Sequence, residues 1–176
     1  KGTGTAVQAS ATEHVLADDS VDLFFTDPPY YDAIPYADLS DYFYVWLHRT
    51  LRGYQTSLFS EPLSPKKDEC VTLSHRAAMY RHKDKAFFES MMGKAMAEGR
   101  RLTKPDGIGV VVFANKSTSG WEAMLSALVN AGWIVTGSWP IDTEMGSRLR
   151  ARNSAVLSSS VHIVCRPREN PDGTLN

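Results

Sequence analysis

The sequence predicts an α/β protein built on a mostly parallel sheet. Three observations carry the prediction. Short apolar runs are bounded by turn residues, apolar stripes at helical spacing lie between them, and the run 107–114 is apolar nearly throughout. The last pattern is that of a strand buried on both faces. Length and composition agree. The chain has 176 residues, 43% of them apolar and 22% charged, and a formal charge of -1. That suits one domain with a hydrophobic core and does not suit a disordered or fibrous chain. Lys and Arg number 19 against 20 Asp and Glu. The balance excludes a globally basic nucleic-acid binder and leaves room for a local basic patch. No apolar run reaches transmembrane length, so no membrane partner is expected. Two cysteines, Cys70 and Cys165, stand far apart, which predicts a reducing cytoplasm and neither a metal cluster nor a disulfide framework.

The elements follow in order. A weak strand is expected over 5–9. The first strong strand is Val21–Thr26, entered from Ala17-Asp18-Asp19-Ser20 and stopped by Pro28-Pro29. Leu39, Phe43, Trp46, Leu47 and Leu51 recur at helical spacing, with Asp38 or Ser40 as N-cap. Residues 53–83 fit neither period and hold Pro62 and Pro65; an irregular insertion this long is usually functional or mobile. A second stripe runs through Phe87, Phe88, Met91, Met92, Ala95, Met96 and Leu102 and should stop before Lys104-Pro105-Asp106-Gly107. After the buried strand, Trp121, Met124, Leu125, Leu128 and Val129 predict a third helix, ended by Gly132. Two more strands are expected over 133–139 and 158–165. Only a basic loop, 147–153, separates them, so they should pair as an antiparallel edge. The domain is read as 1–168, with a polar tail, 169–176, expected to fray.

Chemistry concentrates at Asp27-Pro28-Pro29-Tyr30. In an open parallel sheet, ligands bind outside the carboxyl ends of the strands, and this segment follows such an end. The exocyclic amine of a nucleobase is a poor nucleophile because its lone pair is delocalised into the ring. A carboxylate and a backbone carbonyl, each accepting one N–H, pull the nitrogen toward tetrahedral geometry and localise that pair. Two prolines stiffen the turn and offer no competing N–H. Tyr30 supplies a face on which a flipped base can stack.

Other candidates are weighed against structural roles. Tyr31 and Tyr36 stand beside the site and could line the path of a base. Tyr42 and Tyr44, with Phe43 and Trp46, suit a core or interface. Asp32, Asp38 and Asp41 cap or orient, since an acidic cluster repels phosphate. Lys116 and Ser117 follow the buried strand at its carboxyl end; they face substrate, or Ser117 caps a helix. Arg148, Arg150 and Arg152 could contact phosphate, as could Arg76, Arg81, His82 and Lys83, although charge runs are more often simply solvated. His14, His48, His75 and His162 lack metal-ligand spacing and suit structural places. Met91, Met92 and Met96 suit a helix core.

Thr26-Asp27-Pro28-Pro29-Tyr30 after an apolar strand resembles motif IV of the S-adenosylmethionine-dependent amino methyltransferases. That group makes N6-methyladenine or N4-methylcytosine in DNA. Residues 31–47 resemble a narrower group, the bacterial and archaeal adenine-specific DNA methylase-like proteins with a DUF1156 region. So do residues 113–118, Ser138-Trp139-Pro140 and Arg148-Leu149-Arg150-Ala151. The resemblance covers most of 15–168. It implies a class I, Rossmann-like methyltransferase sheet, mostly parallel with an antiparallel edge strand. It maps the family's acidic residue to Asp27, its carbonyl-bearing proline to Pro28 and its stacking aromatic to Tyr30, with Pro29 between them. Asp at the first position favours adenine.

The same resemblance implies S-adenosyl-L-methionine as cofactor and DNA as partner, the adenine flipped into the site. The family's Gly-rich cofactor loop has no counterpart, since Lys1-Gly2-Thr3-Gly4 follows no strand. Ser10 and Ala11 stand near the place of the family's acidic cofactor contact; with Asp27 and Pro28 they are the cofactor-side candidates. The chain is therefore expected to be the C-terminal part of a catalytic domain, its first strands absent and the missing N-terminal half a partner. Alone it should bind the cofactor weakly or not at all. An unpaired sheet edge and exposed apolar surface predict self-association. Two other readings stay open: methylation of N4 of cytosine or of an RNA base, and a non-catalytic fragment that binds nucleic acid or a partner chain.

Overall fold

The computed structural model describes residues 3–7, 9–32, 34–51, 53–54, 59–141, 160–169, 172 and 174. The elements, in chain order, are β1 (Val21–Thr26), α1 (Tyr36–Leu51), α2 (Lys85–Leu102), β2 (Thr103–Phe113), α3 (Thr118–Asn130), β3 (Trp133–Ile141) and β4 (Ser160–Pro167). The chain divides into two compact units, one of residues 1–28 with 89–176 and one of residues 29–88. Among the described residues no helix is long and apolar enough to cross a membrane.

The first unit holds a four-stranded sheet in the order β1-β2-β4-β3. β1 pairs with β2 in parallel, and β4 pairs antiparallel with both β2 and β3. Three strands thus share one direction and the fold is α/β, as the sequence predicts. The last two strands do pair antiparallel at one edge. Within that pair the antiparallel strand, β4, is the inner one and β3 the outermost. The crossover through α3 sets β3 one strand-width away from β2, and β4 fills the gap. At the other edge Leu23 and Phe25 of β1 are exposed.

Local chemistry explains the element ends. Asp84 starts α2, its carboxylate accepting from the Phe87 amide at 2.8 Å. Met92 and Met96 are buried, as the helical stripe predicts. The turn signal at 104–107 does not precede β2 but lies inside it. Val21 pairs with Thr103 while Leu23 pairs with Ile108, so Pro105 to Gly107 bulge out of the ladder. Gly132 ends α3 with φ +87, a conformation that needs no side chain. The strand expected over 5–9 is not there: its described residues are exposed and outside any ladder. A short run of Ala and Val with no neighbouring strand buries too little to order itself.

The second unit contains α1, a single 3-10 turn at Ala78–Tyr80 and irregular chain. Its irregular part is packed rather than featureless, with Val71, Leu73 and Tyr80 forming a buried cluster. Lys83 is fully buried beside them, which corrects the reading of this lysine as a phosphate contact. Its ammonium donates to the Glu69 carbonyl at 2.9 Å and lies 3.4 Å from the Glu69 carboxylate. A buried cation persists only when so matched. α1 departs further from expectation. Its stripe of Leu39, Phe43, Trp46, Leu47 and Leu51 is exposed instead of forming a core. Asp38 does not cap the helix; it lies within it and accepts from the Tyr80 hydroxyl at 2.5 Å.

Candidate active site

β1 and β2 are adjacent and parallel, so their carboxyl ends emerge on one side of the sheet. Asp27 follows β1 there and is exposed; Pro28 is buried. Pro29 and Tyr30, both half-buried, open the second unit, so the chain changes units inside the motif.

Tyr31 comes next with φ 59, in the left-handed region. Non-glycine residues seldom adopt it, and when they do, neighbouring contacts usually hold them there. The Tyr31 amide donates to the Pro29 carbonyl at 3.1 Å, and the Tyr31 carbonyl accepts from the Thr72 amide at 3.0 Å. The Tyr31 ring meets Phe88 edge-on, centroids 5.0 Å apart. A few residues on, the Ala37 amide donates to the Glu69 carboxylate at 2.9 Å, the same carboxylate that faces Lys83. Thr72, Phe88, Glu69 and Lys83 thus brace the segment that leaves the motif. The only signal for them in the sequence is the apolar pair Val71 and Leu73 inside an otherwise polar stretch.

β2 delivers Lys116 and Ser117 at the same end of the sheet as Asp27. Lys116 is exposed. The Ser117 hydroxyl accepts from the Gly120 amide at 3.1 Å and donates to the Asn115 side-chain oxygen at 2.8 Å, so it caps α3. Asn115 also accepts, through its backbone carbonyl, from the Trp121 indole at 2.7 Å. Lys116 therefore leaves from a loop pinned on both sides.

The remaining candidates are spread out. Tyr36 stands exposed at the start of α1. Ser10 and Ala11 lie in an exposed turn, where the Ser10 hydroxyl bonds the Thr12 hydroxyl at 2.8 Å. Arg76, Arg81 and His82 are exposed. His14 docks by its amide on Glu98 at 2.7 Å, and His48 lies against Phe59. Arg148, Arg150 and Arg152 lie outside the described residues, as does the start of the last expected strand, 158–159.

Among the described residues a cavity of about 420 Å³ is not at this end of the sheet. It lies at the opposite end, lined by Asp18, Asp19, Arg100, Arg101, Arg168 and Glu169. Arg100 and Arg101 are matched within it, and Arg168 donates to the Val129 carbonyl at 3.0 Å. Arg101 pairs with Asp18 and Glu98, and Arg100 with Glu169 and, at 3.9 Å, Asp19. The guanidinium bonds of Arg101 hold the Glu98 carboxyl down at about 2. This is an ion-pair network closing the base of the sheet.

No family model and no curated protein matches the sequence. Among solved structures the chain is similar to TTHA0409 of Thermus thermophilus, provisionally assigned as a DNA modification methylase. The complex of that protein with S-adenosyl-L-methionine overlaps 95% of this chain and 55% of its own, at 14% identity and a TM-score of 0.47. A second structure of it overlaps 96% and 54%, at 12% identity and a TM-score of 0.45. A selenomethionine derivative overlaps 92% and 49%, at 13% identity and a TM-score of 0.43. This chain spans about half the length of the structures it matches.

Proposed function

We propose that Asp27-Pro28-Pro29-Tyr30 grips the acceptor in an S-adenosylmethionine-dependent methyl transfer to the exocyclic amine of a nucleobase, N6 of adenine in DNA. One observation carries the reading: Asp27 is exposed at the carboxyl end of a strand that is parallel to its neighbour, directly before a buried proline. A carboxylate there can accept one amine N–H while the Pro28 carbonyl accepts the other. Tyr30 stacks on the base. Asp27 need not be a strong base, because the proton turns acidic as the new C–N bond forms. Its charge instead offsets the positive charge growing on nitrogen.

The described residues do not fit the methyl donor itself. β1 runs into Asp27-Pro28 and β2 into Ala114-Asn115, so neither leads into a glycine-rich loop. Ser10 and Ala11 lie at an exposed turn. We therefore assign the acceptor side of the reaction to this chain. The donor side belongs to further strands paired to the outer edge of β1. Cytoplasmic DNA is the substrate of the assembled domain.

The test is transfer of a tritiated methyl group to unmethylated DNA by the domain joined to its cofactor-binding part, alongside its Asp27→Ala variant. The variant should lose about 100-fold or more in rate, the loss typical of one charge-stabilising acceptor or donor. Equal rates would remove Asp27 from the mechanism. Nucleoside analysis of the product should return N6-methyladenine; N4-methylcytosine would transfer the assignment to the other base.

A further inference from the structure

α1 turns its amphipathic faces the wrong way round. An ordinary surface helix buries its apolar stripe and exposes its polar one. Here the polar stripe is the tethered one. Asp38 accepts from Tyr80, and Asp41 pairs with Lys66 at 2.6 Å and accepts from the Ser64 amide at 2.9 Å. Tyr44 donates to the Glu61 carbonyl at 2.7 Å, and His48 lies against Phe59. The outer face carries Tyr36, Leu39, Phe43, Trp46 and Thr50, spaced 3-4-3-4, with Tyr42, Leu47 and Leu51 flanking. That spacing is the seam of a two-helix coiled coil. Tyr42 is 70% exposed, Phe43 66%, Trp46 57% and Leu39 54%.

We propose that this seam is a homodimer interface in which α1 pairs antiparallel with α1 of a second copy of the chain. Area supports a protein partner of this size. At about 200 Å² per full side chain, the seven large apolar residues of the helix leave roughly 700 Å² in water. That exceeds the patch of about 300–600 Å² usual on a monomer and approaches the about 800 Å² each partner gives to a stable interface. The helix macrodipoles set the sense of the pair, since antiparallel pairing lets them oppose. The seam also disfavours nucleic acid, since Arg49, stacked on Trp46, is the one cation along it among the described residues.

The inference is independent of the methyl-transfer reading, and its test needs no activity. Sedimentation of the 176-residue chain from about 1 to 100 μM should show a monomer–dimer equilibrium. Phe43→Glu and Trp46→Glu, both at exposed positions, should raise Kd at least 100-fold with unchanged circular dichroism, while Leu23→Lys on the β1 edge should not. Oxidation of a Thr50→Cys variant should give no disulfide between copies through position 50, since antiparallel pairing sets the two positions at opposite ends of the seam; ready formation of that disulfide would mean a parallel pair and overturn the orientation. A monomer at 100 μM would overturn the proposal. So would a dimer that survives Phe43→Glu or dissolves with Leu23→Lys, or single-stranded DNA that quenches Trp46 in a monomeric chain.

Discussion

Gly109 is a tight point of the sheet, and adding one methyl group there tests the packing account. A Cβ built on Gly109 would stand 2.6 and 2.8 Å from ring atoms of Trp133. Trp133 cannot swing aside cheaply. It is buried, lies over Phe24 with rings 20° apart, and donates through its indole N–H to the Met96 carbonyl at 2.9 Å. Gly109 is also the register partner of Phe24, so the aromatic pair sits over a strand position that carries no side chain. Gly109→Ala therefore forces the indole outward. Overpacking of this kind costs about 1–3 kcal/mol, and a strained or broken indole bond adds about 1. Lower entropy of the unfolded chain returns up to about 1 kcal/mol. The net loss is about 2 kcal/mol, or a Tm lower by about 4–8 °C for a chain of this size. Thermal unfolding followed by near-ultraviolet circular dichroism measures both the loss and the indole environment. In a Trp133→Leu background the same substitution should cost at least about 1 kcal/mol less, because the clashing ring is gone. A Tm within 1 °C of the parent, with an unchanged indole signal, would refute the reasoning.

Two further outcomes follow from the first unit. Ser117→Ala removes the cap on α3 and should lower stability by about 1 kcal/mol in urea titration; no change would mean that Asn115 alone holds that turn. The Glu98 carboxyl is lowered from 4.5 to about 2, first by its hydrogen bonds from Arg101 and then, against the opposing effect of burial, by the His14 amide. A lowered carboxyl stabilises the fold above its unfolded value and loses that contribution as pH falls toward the folded one. Melting temperature should therefore drop between pH 4.5 and 2, and Glu98→Gln should flatten this slope; parallel slopes would show that Glu98 is not the group responsible.

The sequence speaks most clearly where structure is local and periodic. β1, α2 and α3 follow from runs of apolar residues at period 2 or 3.6 closed by Pro or Gly, and Asp27 to Tyr30 stand out because four adjacent residues carry the chemistry. What depends on distant partners is hidden. Nothing local announces that Tyr31 is held at positive φ, since its brace comes from Thr72 and Phe88. Lys83 reads as one more member of a basic stretch until Glu69, fourteen residues earlier, is seen to match it. The bulge in β2 is invisible because Pro105 and Gly107 signal a turn just as well before a strand as within one. β4 slips between β2 and β3 for reasons of topology that no single segment encodes.

α1 shows the same limit in its sharpest form, because periodicity tells that a helix has two faces and not which of them the protein keeps for itself. Here hydrogen bonds and ion pairs hold the helix to its own unit. Each such bond adds only about 0.5–1.5 kcal/mol net, less than burying a Trp or Phe would. Directional bonds nonetheless fix the rotation of a helix about its axis, which apolar contacts leave loosely defined. Rotating α1 to bury Phe43 and Trp46 would unmake the Tyr80–Asp38 bond, the Lys66–Asp41 pair and the Tyr44–Glu61 bond together, since all three lie on one stripe. Lys66 would then lose the acid that matches it, Tyr80 would lose the acceptor of its hydroxyl, and Asp41, now lowered despite the opposing effect of burial by Lys66 and the Ser64 amide, would return to its ordinary value. The polar tethers thus commit the apolar seam outward, and the energy of covering it becomes available only to association.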